Sequence, residues 1–290
     1  AIDVLEGVRV FLARQNRPGL KIRFCLCERS KPAFERLSRY AAEQRRFEIY
    51  VFPGRFEDNL DAISSKIQGG FTFTFIDPTG WNVKNEAVFR FLRSRKGEFL
   101  FNFMSDHINR HAQFSPVSAS IGQFLDDADW SDRFAALPGE WSNERRILHL
   151  LKERFRASNV ATYLADFAIL SPRKNRVKMR LILGTNSLRG LEVFRDVQQK
   201  VELEQFGVRN ALREELSPQA SLLTGDDIAD LEQQNDGLGS HVHQAASESL
   251  MLRLLLSEGP TAYGKLLAEV LQAHSMRRPD INKLVGDLRK

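Results

Sequence analysis

Residues 71–81 read Phe-Thr-Phe-Thr-Phe-Ile-Asp-Pro-Thr-Gly-Trp. The first six carry no charge and are aromatic or β-branched, which predicts a buried strand. The polar end, Asp77-Pro78-Thr79-Gly80-Trp81, predicts a site loop. Pro78 ends the ladder and holds Asp77 extended, aiming its carboxylate beyond the strand end. Gly80 lets the chain turn, and Trp81 offers a flat face to a base or cofactor. The plainer reading of Asp77 is an N-cap for the next helix.

Working outward, the first hundred residues alternate two patterns. Lys21–Cys27 (KIRFCLC), Phe47–Phe52 (FEIYVF) and Glu98–Met104 (EFLFNFM) are strand-like. Between these runs lie helical stretches at Pro32–Arg46, Glu57–Gln68 and about Lys84–Arg95, and another, Ile2–Arg14, precedes them all. Strands separated by helices of this length predict right-handed βαβ units, an α/β class and a mostly parallel sheet. A further strand is expected before Ala1. From Ser115 to Ser158 the pattern is helical, with Trp130 and Trp141 as expected core anchors. Val160–Leu170 and Lys178–Gly184, joined by a polar turn at 171–176, predict a hairpin, and Gly190–Val201 predicts a closing helix. Residues 203–240 are acidic and weakly periodic and read as a linker with some helix. Three helical patterns follow, Gln244–Ser257, Ala262–Ala273 and Arg278–Lys290, with Thr261 as an N-cap; they predict a small helical, winged-helix-like unit. The expected domains are therefore 1–202, a 203–240 linker and 241–290.

In open α/β sheets ligands bind beyond the carboxyl ends of the strands, where loops and helix N-termini converge. That rule selects four loops. Glu28 follows the first strand and offers a carboxylate to both hydroxyls of a ribose, or caps the next helix. Pro53-Gly54-Arg55-Phe56-Glu57-Asp58 follows the second. Gly54 permits close backbone approach and Phe56 an adenine stack, with Arg55 between them; the alternative is a loop whose acids serve the next helix's first turn. Asp77 follows the third, and Ser105-Asp106-His107-Ile108-Asn109-Arg110 the fourth. The catalytic candidates are Asp77 and Asp106; the cofactor candidates are Glu28, Gly54, Arg55 and Phe56. On the substrate side stand Pro78, Gly80 and Trp81 from one loop, and Asn102, His107, Asn109 and Arg110 from the other.

Other chemistries are excluded by their missing signatures. The chain has no Gly-x-x-x-x-Gly-Lys-Ser/Thr loop, no His-Glu-x-x-His pair and no Gly-x-Ser-x-Gly elbow. Its six His are scattered apart from His241-x-His243, and no metal is expected. Cys25 and Cys27, two apart on one strand face, read as core thiols of a reducing cytoplasm. No apolar run approaches the ~18 residues of a membrane span, so no membrane partner is expected. Charge is uneven: residues 131–201 carry 14 Lys and Arg against 7 Asp and Glu, whereas 202–290 carry 9 against 14. The basic segment predicts either an anionic partner, DNA or RNA, or a solvated surface. Arg277 and Arg278, at the start of the last helix, are candidate phosphate contacts.

Taken together, Glu28, Gly54-Arg55-Phe56, Phe75-Ile76-Asp77-Pro78-Thr79-Gly80-Trp81 and Phe101-Asn102-Phe103-Met104 resemble the three-Cys-motif partner family. Arg180-Leu181-Ile182-Leu183-Gly184-Thr185-Asn186, with Gly190-Leu191 and Phe194-Arg195, is similar to its late strand and helix. The resemblance covers nearly the whole chain. It implies a Rossmann-like class I methyltransferase sheet, mostly parallel with an antiparallel strand near the end. It also implies S-adenosylmethionine (SAM) as cofactor, on condition of an upstream glycine-rich loop that members carry before a helix resembling Ile2–Arg14. Glu28 would hold the ribose, Gly54–Phe56 the adenine edge, and Asp77 the acceptor or the methionine end. The implied partner is a three-Cys-motif, radical-enzyme-like protein. Two functions follow: a SAM-dependent methyltransferase acting on or with nucleic acid, or a non-catalytic binding subunit on a degenerate methyltransferase scaffold. Thr79 stands where members often carry an aromatic residue.

Overall fold

The computed structural model describes residues 2–17, 21–67, 69–78, 85–104, 121–172, 176–216 (backbone alone over 213–216) and 237–288. They form two compact units, Ala1–Gly70 and Phe71–Lys290. No helix among the described residues is long and apolar enough to cross a membrane.

In the first unit the order is α1 (Ile2–Arg14), β1 (Arg23–Glu28), α2 (Lys31–Glu43), β2 (Glu48–Pro53) and α3 (Leu60–Lys66). The β1 and β2 strands pair in parallel from Arg23 opposite Glu48 to Glu28 opposite Pro53. The connection runs through α2, whose first turn holds Pro32, where a missing N–H costs nothing. Phe24 and Phe47 meet edge-to-face with ring centres 5.6 Å apart, and Arg23 Nε lies 2.7 Å from Glu48. Cys25 and Cys27 are half-buried free thiols. Burial raises both, and Cys27, with Cys25 and Glu57 beside it, is pushed up to about 11. Neither is a thiolate at neutral pH.

The second unit continues with β3 (Thr72–Ile76), α4 (Asn85–Arg93), β4 (Gly97–Phe103), α5 (Trp130–Ala136), α6 (Asn143–Ala157), β5 (Tyr163–Leu170) and β6 (Val177–Thr185). It ends with α7 (Leu188–Leu216), α8 (His241–Glu258), α9 (Tyr263–Ala273) and α10 (Arg278–Asp287). The sheet order is β3-β4-β6-β5; β3 and β4 run parallel, and β6 runs antiparallel to both β4 and β5. The fold is α/β with a mixed sheet, compatible with a Rossmann-like class. The single mostly parallel sheet expected from the pattern is instead a parallel pair in one unit and a mixed sheet in the other.

Alternation of side chains gives this sheet two distinct faces. Phe99, Phe101 and Phe103 of β4 point to one, where Phe155 of α6 packs 5.1 and 5.6 Å from the rings of Phe99 and Phe101. Phe124 and Phe89 complete this aromatic layer. On the same face the Asp166 carboxylate of β5 pairs with Lys152 and Arg180, and Arg180 also holds Glu144. The opposite face buries Ala165, Phe167 and Leu183 against Leu191 and Phe194 of α7 and Leu266, Leu267, Val270 and Leu271 of α9. Met251 and Ile281 bring α8 and α10 into the same core.

The C-terminal helices, expected as a unit of their own, therefore share a core with the sheet. Their apolar stripes are buried on β5, β6 and α7, and no strand accompanies them among the described residues of 237–288. The linker assignment also changes, because α7 continues to Leu216. Gln205 accepts the Leu170 N–H and Glu202 accepts the Leu238 N–H, which fastens this polar stretch. Trp130 and Trp141 are only half-buried, against Phe134 and Arg145 respectively. Ala262 occupies the cap of α9, and Thr261 Oγ1 instead donates to the Gly259 carbonyl.

The late Gly-Thr-Asn block has a packing explanation. A Cβ on Gly184 would overlap the Phe99 ring, and one on Gly190 would overlap Glu98 and Thr185. Thr185 Oγ1 donates to Glu98 at 2.5 Å, and Asn186 Oδ1 accepts the Thr162 N–H at 2.8 Å.

Arg195 is 1% exposed and fastens α7 to its neighbours. Its guanidinium donates to the Leu271 carbonyl at 2.9 and 2.6 Å, to the Asp166 carbonyl at 3.0 Å and to Gln198 at 2.5 Å. Leu271 lies in the last turn of α9, where carbonyls lack helical partners. Burial lowers Arg195 to about 10, against the pull of Asp166 and Glu202, so it remains charged at neutral pH. Replacing Arg195 with Ala strands these carbonyls, and urea unfolding is expected to show a loss of about 3 kcal/mol.

Burial alone would raise the Asp166 carboxyl, but Lys152 and Arg180, with Arg195 further off, hold it down to about 2 from 3.8. A depressed carboxyl stabilises the fold above its unfolded value and loses that contribution as pH falls through the folded one. Urea midpoints between pH 5 and 2 should therefore show an acid-limb loss of about 2 kcal/mol attributable to this group. Asp166→Asn, less stable at pH 7, is expected to flatten that limb; an unchanged limb would refute the assignment.

Candidate functional site

Two clusters lie at the carboxyl ends of parallel strands, one in each unit. In the first unit the end of β1 and the loop after β2 are joined by the Gly54 N–H, which donates to the Glu28 carbonyl at 2.9 Å. Gly54 has φ +98°, a conformation that a side chain would strain. The Glu28 carboxylate accepts the Ser30 N–H through Oε1 at 2.7 Å. One oxygen thus serves the turn before α2 without capping the helix itself, and Oε2 has no hydrogen bond among the described residues.

Asn59 shapes the loop, and sequence reasoning missed it. Its Nδ2 donates to the carbonyls of Pro53 at 2.9 Å and Arg55 at 2.7 Å. Its own N–H donates to the Phe56 carbonyl at 3.0 Å. An Asn six residues after a strand-ending Pro-Gly is the signal that would have found it, because Asn readily bonds nearby backbone. The structure thus brings Glu28, Gly54, Arg55 and Phe56 together, with Phe56 half-buried.

In the second unit Asp77 directly follows β3, and Asn102 lies next to the last residue of β4. Asn102 Nδ2 donates to Asp77 Oδ1 at 2.6 Å and contacts Met104 Sδ at 3.8 Å. Asn102 is 5% exposed, whereas Asp77 is exposed. The buried amide pins an exposed carboxylate at the strand ends. Asp77 is not an N-cap of α4, which begins at Asn85. Pro78 follows, half-buried. Gly80, Trp81, Asp106, His107, Asn109 and Arg110 lie outside the described residues.

The other charged candidates serve the fold. Arg278 pairs with the buried Glu192 at 3.0 Å, and Arg277 donates to Gln199 at 2.6 Å while pairing with Asp280. Each of the two arginines thus has an internal partner, and Arg278 remains half-exposed. In the basic segment, exposed Arg145 stacks 4.1 Å over the Trp141 ring. No group of three or more His, Cys, Asp and Glu suited to a metal ion occurs among the described residues. Comparison with protein-family models, with curated proteins and with solved structures found no match for this chain.

Asn59→Ala removes two side-chain bonds from the 53–59 loop. An expected loss of about 1–2 kcal/mol of local stability should appear as faster hydrogen exchange at Gly54–Phe56, with β1 and β2 protection kept.

Proposed function

We propose that this chain is a methyltransferase-like protein in which Glu28 and the Gly54–Phe56 loop of the first unit hold the nucleoside part of SAM, with Asp77 of the second unit a candidate acceptor contact. The observation that carries the reading is the pairing of functional side chains with strand ends. Each parallel pair, β1–β2 and β3–β4, ends in a carboxylate from the strand or just beyond it, Glu28 or Asp77. The antiparallel β6 lying between β4 and β5 supports it as well, since a class I methyltransferase sheet closes in this way. So does the resemblance to the three-Cys-motif partner family.

The residues present fit the nucleoside end. Oε2 of Glu28 is available to accept from a ribose hydroxyl, and positive-φ Gly54 leaves its backbone open to close approach by a flat ring. Methyl transfer asks mainly for positioning, because the sulfonium of SAM, when bound, supplies an already activated methyl group. Asn102 contributes by holding the Asp77 carboxylate in one place. The acceptor proposed is a nucleic acid, with a three-Cys-motif radical-enzyme-like protein as partner.

A second reading, a binding subunit without catalysis, draws on the Arg145–Trp141 stack within the basic segment. An exposed cation beside a half-buried aromatic ring suits a nucleic-acid backbone with an adjacent base. Gel-shift affinity that falls steeply with salt and is weakened by Arg145→Ala would favour it.

Titration calorimetry with SAM tests the primary reading. Glu28→Ala is expected to weaken binding about tenfold, the size of one charged hydrogen bond. Asp77→Ala should leave cofactor affinity within about twofold if it faces the acceptor. Absence of binding heat at millimolar SAM, with the upstream glycine-rich loop present, sinks the proposal.

A further inference from the structure

The buried amide that pins Asp77 uses only one of its two ends among the described residues. Asn102 is 5% exposed, and its Oδ1 is buried with no hydrogen-bond partner among those residues. The other end fixes the orientation of the amide. Nδ2 donates to Asp77 Oδ1 at 2.6 Å, and a flipped amide would set oxygen against that carboxylate. Strand register explains the meeting. Ile76 lies opposite Phe101, so Asp77 comes opposite Asn102; on its other side Asn102 faces Leu181, whose side chain has nothing to donate. A buried acceptor left empty costs the fold, and so asks for a donor. The exposed Asp77 carboxylate likewise keeps Oδ2 without a hydrogen bond among the described residues.

We infer that Asn102 Oδ1 and Asp77 Oδ2 are paired acceptors for one amino group with two N–H bonds, the exocyclic amine of a nucleobase. The inference deepens the methyltransferase reading, and rests on it in naming that amine as the methyl acceptor. Oδ1 and Nδ2 of Asn102 share one carbon, so the idle oxygen lies close to the Asp77 carboxylate. An amino group bonded to two oxygens holds them about 5 Å apart, and neighbouring strands stand about 4.8 Å apart. Both groups on offer accept, so the ligand atom has to donate. A keto oxygen, a phosphate or a carboxylate would set acceptor against acceptor. A hydroxyl donates to one oxygen and leaves the other empty, and an alkyl ammonium brings a third N–H for which the pair has no oxygen. The amino group of cytosine or adenine serves both.

Fluorescence anisotropy with labelled single-stranded hexamers can compare deoxycytidine with deoxyuridine, and deoxyadenosine with deoxyinosine. Each pair exchanges the amino group for a keto oxygen on the same backbone. The amino member of at least one pair is expected to bind about tenfold more tightly, the size of one hydrogen-bond mismatch. Asn102→Leu keeps the branched shape without the acceptor, and Asp77→Ala alters an exposed position. Each should bring the preference to within about twofold while circular dichroism stays unchanged; should the buried substitution disturb folding, Asp77→Ala decides. Equal affinity within both pairs overturns the proposal, because a water or another donor of the chain would then serve Oδ1. So does binding of no hexamer, a preference for the keto member, or a preference that survives Asp77→Ala. Titration calorimetry with SAM separates the two claims. SAM binding without a base preference removes the amino subsite alone, whereas a base preference without SAM binding removes the methyltransferase reading and leaves the subsite.

Discussion

Residue 166 is tied from both sides of the sheet, and the second unit is organised around it. The Asp166 carboxylate lies between Lys152 and Arg180 on the face covered by α6, while its carbonyl accepts from Arg195 on the face covered by α7 and α9. The same guanidinium closes the last turn of α9 through Leu271. A buried cation is tolerable only where its donors are matched, and here two carbonyls and Gln198 match them. The C-terminal helices are thus anchored by backbone hydrogen bonds as well as by the apolar core. That is why they behave as part of the sheet's own layer.

Polar groups at strand ends fall into two classes in this molecule. At the amino end of β4, Glu98, Thr185 and Gly190 form a closed packing cluster. At the carboxyl ends, Glu28 and Asp77 each have one oxygen engaged by a neighbour, through Ser30 and Asn102 respectively. Partial engagement orients a carboxylate without exhausting its capacity to accept. This is the arrangement expected of a binding group rather than of a structural ion pair, whose partners, as at Asp166, surround it.

The β3 strand is unusual in the same unit. Its sequence has the uncharged, aromatic character of a strand paired on both sides, yet one edge is unpaired among the described residues and its Phe side chains stay exposed. The Thr72, Thr74 and Ile76 side is drawn inward, and Ile76 is buried.

Sequence by itself determined the local elements and where chemistry was to be sought. Period-2 runs such as FTFTF and FEIYVF, set against helical stripes, report backbone state and one buried face, and both are properties of neighbouring residues. The strand-end rule likewise proposed Glu28, Gly54 and Asp77 as candidates, and each lies at or just after a strand end. Pairing between distant segments was beyond that reach. The order β3-β4-β6-β5, the division after Gly70 and the seating of α9 on β5 depend on contacts between distant residues, 108 apart in the case of Leu164 and Gln272. Local pattern leaves such choices nearly degenerate. Asn59 was overlooked, and Asn102 was read as a substrate contact rather than as the partner of Asp77, for a related reason, since the role of an Asn is unremarkable until its partners are brought to it. Arg277 and Arg278 were candidate phosphate contacts, and folding gives each an internal partner, Gln199 and Glu192 respectively. Only the tertiary structure decides which charges are spent inside the molecule, because an ion pair or a carbonyl clamp requires both partners to be placed within about 3 Å.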